Sequence, residues 1–256
     1  VAFLSDRRLV GRLVLLTLLA APVIANAENR SLRGRELRLP QQPYAYSRPG
    51  IPEDLQRALR SFDNTPQDNP ITDDGATLGR VLFYDKTLSA NGQTSCASCH
   101  LQAFGFSEPK PTSVGFRGEQ VTRNSMSLIN LRYYRRDRFF WDERADGLER
   151  QVVMPIENPI EMGNDLDELV AQLQEDPIYP PLFRNAFGDP TINQDRIAKS
   201  LAQFVRSIVS FNSRYDEGLW KAGSPTKPFS NFTEQENLGK QVFFGRGRCA
   251  ECHLPG

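Results

Sequence analysis

An all-α fold is the one this sequence predicts, and three observations carry it. Apolar residues recur at helical spacing, most clearly Ile197, Leu201, Phe204, Val205 and Ile208, which fall on one face of a helix. Period-two alternation, the mark of a half-buried strand, is scarce. One helix signature also occurs twice: Leu78-Gly79-Arg80-Val81-Leu82-Phe83-Tyr84 and Leu238-Gly239-Lys240-Gln241-Val242-Phe243-Phe244 both combine Leu-Gly-basic with apolar and aromatic residues. Each stands ahead of a Cys-x-x-Cys-His stretch, by 18 residues from Leu78 to Cys96 and by 11 from Leu238 to Cys249, so the chain repeats itself at the level of a domain.

The 256 residues suffice for one or two domains with proper cores. Lys and Arg total 31 and Asp and Glu total 31, and this balance removes the global electrostatic case for a nucleic-acid partner. Taken in order, the chain opens with Arg7, Arg8 and Arg12 before an apolar run from Leu13 to Ile24 and the small residues Ala25-Asn26-Ala27. That order of parts predicts a secretory signal over residues 1–27 and a periplasmic protein beginning near Glu28. The run is shorter than the ~20 apolar residues of a membrane span, so no stable span is expected.

Residues 28–50 carry Arg30, Arg33, Arg35 and Arg38 among prolines and read as a linker or arm. From Ile51 the first globular domain is expected, over 51–212, with Pro52-Glu53-Asp54 opening a helix towards Phe62. The Leu78 helix follows, its glycine suited to a close helix crossing and its aromatic pair to packing beside the motif. Residues 166–174 form a short amphipathic helix that Pro180-Pro181 breaks. Thr191 and Gln194 read as a capping box for the helix through Ile197, and Thr233 and Glu236 as another before the second signature. Residues 213–256 are expected to start a second domain, cut short soon after its motif.

Cys96-Ala97-Ser98-Cys99-His100 and Cys249-Ala250-Glu251-Cys252-His253 use every cysteine and histidine in the chain. Cys-x-x-Cys-His is the attachment motif of c-type haem: one helical turn lets both thiols and the imidazole meet one porphyrin. The thiols add to its vinyl groups and the histidine ligates the iron. A paired Cys-x-x-Cys zinc site leaves the repeated histidine unexplained, and a thioredoxin-like pair occurs once, in a βαβ setting absent here. Two structural disulfides are the remaining bland reading. Two covalently bound c-type haems, and with them two tandem cytochrome c-like domains, are therefore expected.

Between the motifs lie Arg123-Asn124-Ser125, Phe139-Phe140-Trp141-Asp142, Gln151 and Asn158-Pro159-Ile160-Glu161-Met162, then Ser210-Phe211-Asn212-Ser213. With the Leu-Gly-Arg helix and both motifs in order, this stretch, from about Asp73 to Gly256, resembles the bacterial di-haem cytochrome c peroxidases and their MauG-like relatives. The resemblance implies that His100 and His253 are the two proximal ligands, the first haem meeting peroxide and the second feeding it electrons. It implies that Trp141 lies between the haems, that Gln151 and Glu161 line the distal pocket, and that Asn124 contributes to an inter-haem calcium ion whose other ligands lie beyond Gly256. Without it, Trp141 after two phenylalanines reads as core, Glu157 and Glu161 as solvated, and Asn124 as a turn cap. Arg132, Arg135, Arg136 and Arg138, interleaved with Tyr133 and Tyr134, either grip propionates, dock a donor or form a solvated loop, and the sequence leaves this open.

In many such peroxidases a distal histidine closes the first haem until the second is reduced. The corresponding loop position falls near Phe116, which cannot ligate iron, so a resting ferric haem that is five-coordinate or water-ligated is expected. Glu143 and Met154 stand where the resemblance leads us to expect glycine. The leading functional expectation is a periplasmic enzyme that reduces hydrogen peroxide with electrons from a small cytochrome c or cupredoxin, a homodimer being the assembly the resemblance allows. A MauG-like enzyme oxidising aromatic residues of a partner protein, and a non-catalytic di-haem electron carrier, are the alternatives.

Overall fold

The computed structural model describes residues 37–253 apart from Pro49. The signal expected over 1–27 and the first part of the arm lie outside the described residues. By its contacts the chain divides into residues 1–30 and 31–256, and all that follows concerns the second unit. The described part of the arm has neither helix nor strand and is mostly exposed. It is nonetheless tied down: the Tyr46 ring meets Phe204 edge-on at 6.3 Å, its hydroxyl accepts from Arg80 at 3.4 Å, and the Ser47 N–H donates to Asp73 at 2.8 Å.

Helix α1, Glu53–Leu59, runs into a 3-10 turn over Arg60–Phe62. Helix α2, Asp73–Tyr84, begins where the Thr72 hydroxyl accepts from the Gly75 N–H and Asp73 and Asp74 meet the positive end of the helix dipole. Helix α3 is the single turn Cys96–Cys99 that holds the first motif, capped by Ser95 with Ser98 in reciprocal hydrogen bonds. Strands β1, Arg138–Phe139, and β2, Ala145–Asp146, pair antiparallel, Arg138 opposite Asp146 and Phe139 opposite Ala145. This hairpin is the one sheet among the described residues. Two single-turn helices follow, α4 Leu148–Gln151 and α5 Met154–Glu157, then α6 Leu166–Glu175, α7 Tyr179–Phe187 and α8 Gln194–Ser207. Helices α9, Arg214–Ala222, and α10, Glu234–Phe244, precede a 3-10 turn at Cys249–Glu251.

Two sequence expectations are corrected. Pro180-Pro181 does not break a helix but opens α7: proline lacks only an N–H that a first turn leaves unpaired in any case. The cap of α8 is Asn193, whose side chain accepts from the Arg196 N–H, while Gln194 turns away to donate to Asp167 at 2.7 Å. The box at Thr233 and Glu236 forms as read.

The core is α2 crossed on α8 and flanked by α7. Leu78, Leu82 and Phe83 are buried against Ile197, Leu201, Phe204 and Val205. Gly79 makes this crossing possible, since a Cβ there would sit 1.9 Å from the Ser200 carbonyl oxygen. Its counterpart Gly239 on α10 has nothing within 4 Å of such a Cβ. Beneath the crossing, the fully buried Arg206 of α8 makes a bidentate bond to Glu149 of α4, at 2.5 and 2.9 Å, and reaches Asn64 at 3.0 Å. Asn69 joins Glu149 to Gln203, whose Oε1 accepts from the Thr72 N–H, so the start of α2, the end of α8 and α4 share one polar network.

Candidate active site

A cavity of about 380 Å³, within the usual range for cofactor sites of about 300–1,000 Å³, opens beside α3. Cys96, Cys99 and His100 line one side, and Phe83 of α2 with Leu201 and Val205 of α8 give it an apolar floor. The one-turn helix makes this wall: at spacings of three and four residues, Cys96, Cys99 and His100 share a face. The His100 Nδ1 lies 2.9 Å from the Phe106 carbonyl oxygen, the geometry of an N–H donating to it. That bond orients the ring and leaves Nε2 as the metal-binding nitrogen. Burial lowers the His100 pKa against the raising effect of the Phe106 and Met126 carbonyls, which keeps the imidazole neutral, as a ligand must be. Burial pushes the Cys96 thiol up to about 12 and also raises Cys99.

The other walls carry Gln151 at the end of α4, Pro155 and Val152, and then Glu161 and Met162. Glu161 is half-buried and faces the cavity, whereas Glu157 is exposed. Asn158 fixes it, donating from Nδ2 to Glu161 Oε1 at 2.8 Å while its own Oδ1 accepts from the Ile160 N–H at 2.9 Å. Burial raises the Glu161 pKa, and the Arg144 charge opposes the rise. The loop that carries Glu161 is clamped at Gly115, where a Cβ would stand 1.7 Å from the Ile160 carbonyl oxygen.

Trp141 stands at the tip of the hairpin on the cavity rim, 62% exposed, so it is no core residue. Its Nε1 donates to the Asn124 carbonyl at 2.9 Å. Asn124 is thus built into the wall, with its amide donating to the Lys110 carbonyl at 2.6 Å. Among the described residues no group of three acidic, cysteine or histidine side chains could hold a metal ion. The partners expected for Asn124 around calcium lie beyond Gly256, and calcium has no part in the chemistry below. Phe116 is buried, its ring packed on Gly163, and is not part of the cavity lining.

The arginines left open by the sequence are spoken for. Arg132 pairs with Asp63 at 2.6 Å, Arg136 with Glu143 at 2.8 Å and Arg138 with Asp146 at 3.0 Å, while Arg135 lies over the Phe62 ring at 4.6 Å. The cavity is instead lined by Arg123, which the sequence offered only as part of a motif, and by Arg144, which sequence reasoning passed over. Both bind Asp142, at 3.3 and 2.7 Å, and Arg144 covers the Phe140 ring at 3.6 Å. The signal available was their place beside Trp141-Asp142.

The second motif presents differently. Cys249, Cys252 and His253 are exposed, and His253 borders an open cleft of about 560 Å³ with Tyr215, Phe232, Phe243 and Phe244. The chemistry of the first cavity fits a covalently held haem: two thiols and an oriented imidazole on one side, an apolar floor, and a carboxyl and an amide facing them. The second donor set is the same, on a less enclosed cradle.

A model of the family described as di-haem cytochrome c peroxidase matches residues 73–223. The methylamine utilization protein MauG of Methylorubrum extorquens is 38% identical over 189 residues, 73% of this chain and 51% of that protein. Cytochrome c551 peroxidase of Nitrosomonas europaea is 34% identical over 185 residues, 72% of this chain and 52% of that protein. The crystal structure of a MauG-like protein associated with microbial copper homeostasis matches with a TM-score of 0.67 at 32% identity, over 84% of this chain and 58% of the other. The chain spans about half the length of the curated relatives it matches.

Proposed function

From the premise that this chain belongs to the di-haem cytochrome c peroxidase family, we propose that it is the peroxide-reacting part of a periplasmic enzyme that reduces hydrogen peroxide to water. One observation carries the reading: Cys96, Cys99 and His100 share a single cavity with Gln151 and Glu161. Cys96, Cys99 and His100 would hold a haem, which would supply the redox-active iron for cleaving peroxide. Heterolysis of the O–O bond then needs a proton moved from one peroxide oxygen to the departing one. Glu161 takes the proton and delivers it, held in place by Asn158, and Gln151 orients peroxide or water by hydrogen bonding. Trp141, on the rim, carries electrons inward from the second haem at Cys249, Cys252 and His253. The electron donor is a small cytochrome c or cupredoxin. The periplasmic setting is supported by the arginine-led apolar run and Ala-Asn-Ala at the N-terminus.

Haem-loaded protein assayed with peroxide and a reduced cytochrome tests this. Glu161→Gln is expected to lose about 10²-fold or more in turnover, with both haems still attached as judged by a Soret band that survives acid-acetone extraction. An unchanged rate would favour the non-catalytic electron carrier.

A second reading has its own observation. Phe116 packs away from the cavity, so no side chain at that position can close the site, and MauG is among the relatives. A MauG-like enzyme would use the same oxidising equivalents on aromatic side chains of a partner protein. Stoichiometric peroxide with candidate proteins, read by mass spectrometry for cross-linked or hydroxylated aromatics, separates the two.

A further inference from the structure

Behind the cavity wall lies a tyrosine with a carboxylate in hydrogen-bond contact. Phe139, 1% exposed, lines the cavity, and the Tyr134 ring packs on its far side with centroids 6.0 Å apart. The Tyr134 hydroxyl donates to Glu143 Oε1 at 3.2 Å, and Arg136 holds the other Glu143 oxygen at 2.8 Å. Glu143 stands where the family resemblance leads us to expect glycine, and its φ of +55° is one that glycine adopts freely. The chain thus keeps a glutamate in a backbone conformation that disfavours it, and that glutamate's carboxylate is spent on Tyr134 and Arg136.

Oxidising a phenol by one electron is far easier when its proton has somewhere to go. Arg80, which bonds Tyr46, only donates and cannot take a proton. Glu143 can. Burial, and then the hydrogen bond to Glu143, raise the Tyr134 pKa, so the phenol keeps its proton at rest.

We infer that Tyr134 and Glu143 form a redox-active pair, Tyr134 giving an electron through Phe139 to the oxidised cavity site and its phenolic proton to Glu143. The inference rests on the peroxidase reading above. Reduction of one hydrogen peroxide to two waters takes two electrons and two protons from outside the peroxide. Without an external donor, Tyr134 supplies one of those electrons and the iron of the haem that the cavity would hold supplies the other, the two protons coming from solvent: the Tyr134 O–H bond breaks, its proton makes Glu143 the neutral acid, and a phenoxyl radical remains. An electron from the donor later reduces the radical, and the proton returns from Glu143. The pair so holds an oxidising equivalent on a chosen side chain and keeps it from the thioethers of Met126 and Met162, which line the cavity.

Haem-loaded protein is mixed with peroxide alone, freeze-quenched and examined by electron paramagnetic resonance, with a spin trap and mass spectrometry to locate the radical. A tyrosyl signal with the adduct on Tyr134 is expected, lost in Tyr134→Phe. Glu143→Gly is the sharper variant because it relieves the backbone: its melting temperature should not fall, yet the tyrosyl signal should be lost. An equal signal in either variant, or an adduct on Tyr84 or Trp141 instead, overturns the inference. Peroxide consumed with no tyrosyl signal overturns it and leaves the peroxidase reading standing, whereas a protein that consumes no peroxide brings down both.

Discussion

Glu161 owes its chemistry to where it sits. A carboxyl taken out of water prefers to be neutral, and the Arg144 charge pulls the other way. In the proposed role of accepting the peroxide proton it must be ionised, so activity is expected to fall as pH drops through its pKa. Because that pKa is raised, the acid limb of kcat/KM is expected at higher pH than an ordinary glutamate would give. Arg144→Gln removes a positive charge that favours the carboxylate, so the limb should move to higher pH still. A limb that stays put or moves down would assign it to another group. At this scale the sequence was only partly legible. Glu161 and Glu157 are alike in a string of letters, and the resemblance, not the residues alone, favoured Glu161; burial beside Asn158 is what separates them. Arg144 was passed over and Arg123 was given no role because a guanidinium's role depends on its partner, and Asp142 faces the cavity rim only once the hairpin has formed.

Among the elements, the pairing of α2 with α8 decides the most. It sets Phe83, Leu201 and Val205 as the cavity floor, and the crossing stands at the distance Gly79 permits. Gly79→Ala forces a Cβ onto the Ser200 carbonyl and should cost at least about 1–3 kcal/mol, measured as a fall in the denaturation midpoint at unchanged slope. Stability unaffected by the change would mean that the helices can separate without loss. This glycine could be read from the sequence because it recurs in a repeated signature beside aromatic residues. Helix α7 could not, for Pro180-Pro181 looks the same whether it ends one helix or opens the next, and the buried Tyr179 and Phe183 decide which. The hairpin of β1 and β2 was also hidden: two residues per strand are too few to alternate, and its turn uses Phe140 and Glu143 at positive φ instead of the usual glycine.

For the molecule as a whole, the motifs pointed to where two haems would attach but not to how unequal their surroundings are. Every histidine in the sequence belongs to a motif, and Phe116 lies outside the first cavity. With no histidine facing it, the first haem is expected to give a high-spin ferric signal by electron paramagnetic resonance before any reduction; an entirely low-spin spectrum would show a strong sixth ligand, such as the sulfur of Met126 or Met162 on the cavity wall. The fold class was legible because helical periodicity and capping are local, whereas enclosure is a property of distant segments meeting. The segments that wall in His100 come from α2, α4, α8 and the loop at Glu161, more than 100 residues of chain folded around one turn of helix.

The same inequality has a chemical price before any cofactor arrives. Cys96 and Cys99 are half-buried within a walled recess, while Cys249 and Cys252 stand open to solvent. Alkylating reagents, glutathione and stray oxidants meet sulfur by collision, so a haem-free polypeptide of these 256 residues would be capped at its second motif first. Brief iodoacetamide treatment of that polypeptide, followed by peptide mapping, should find carbamidomethyl groups on Cys249 and Cys252 well ahead of Cys96 and Cys99.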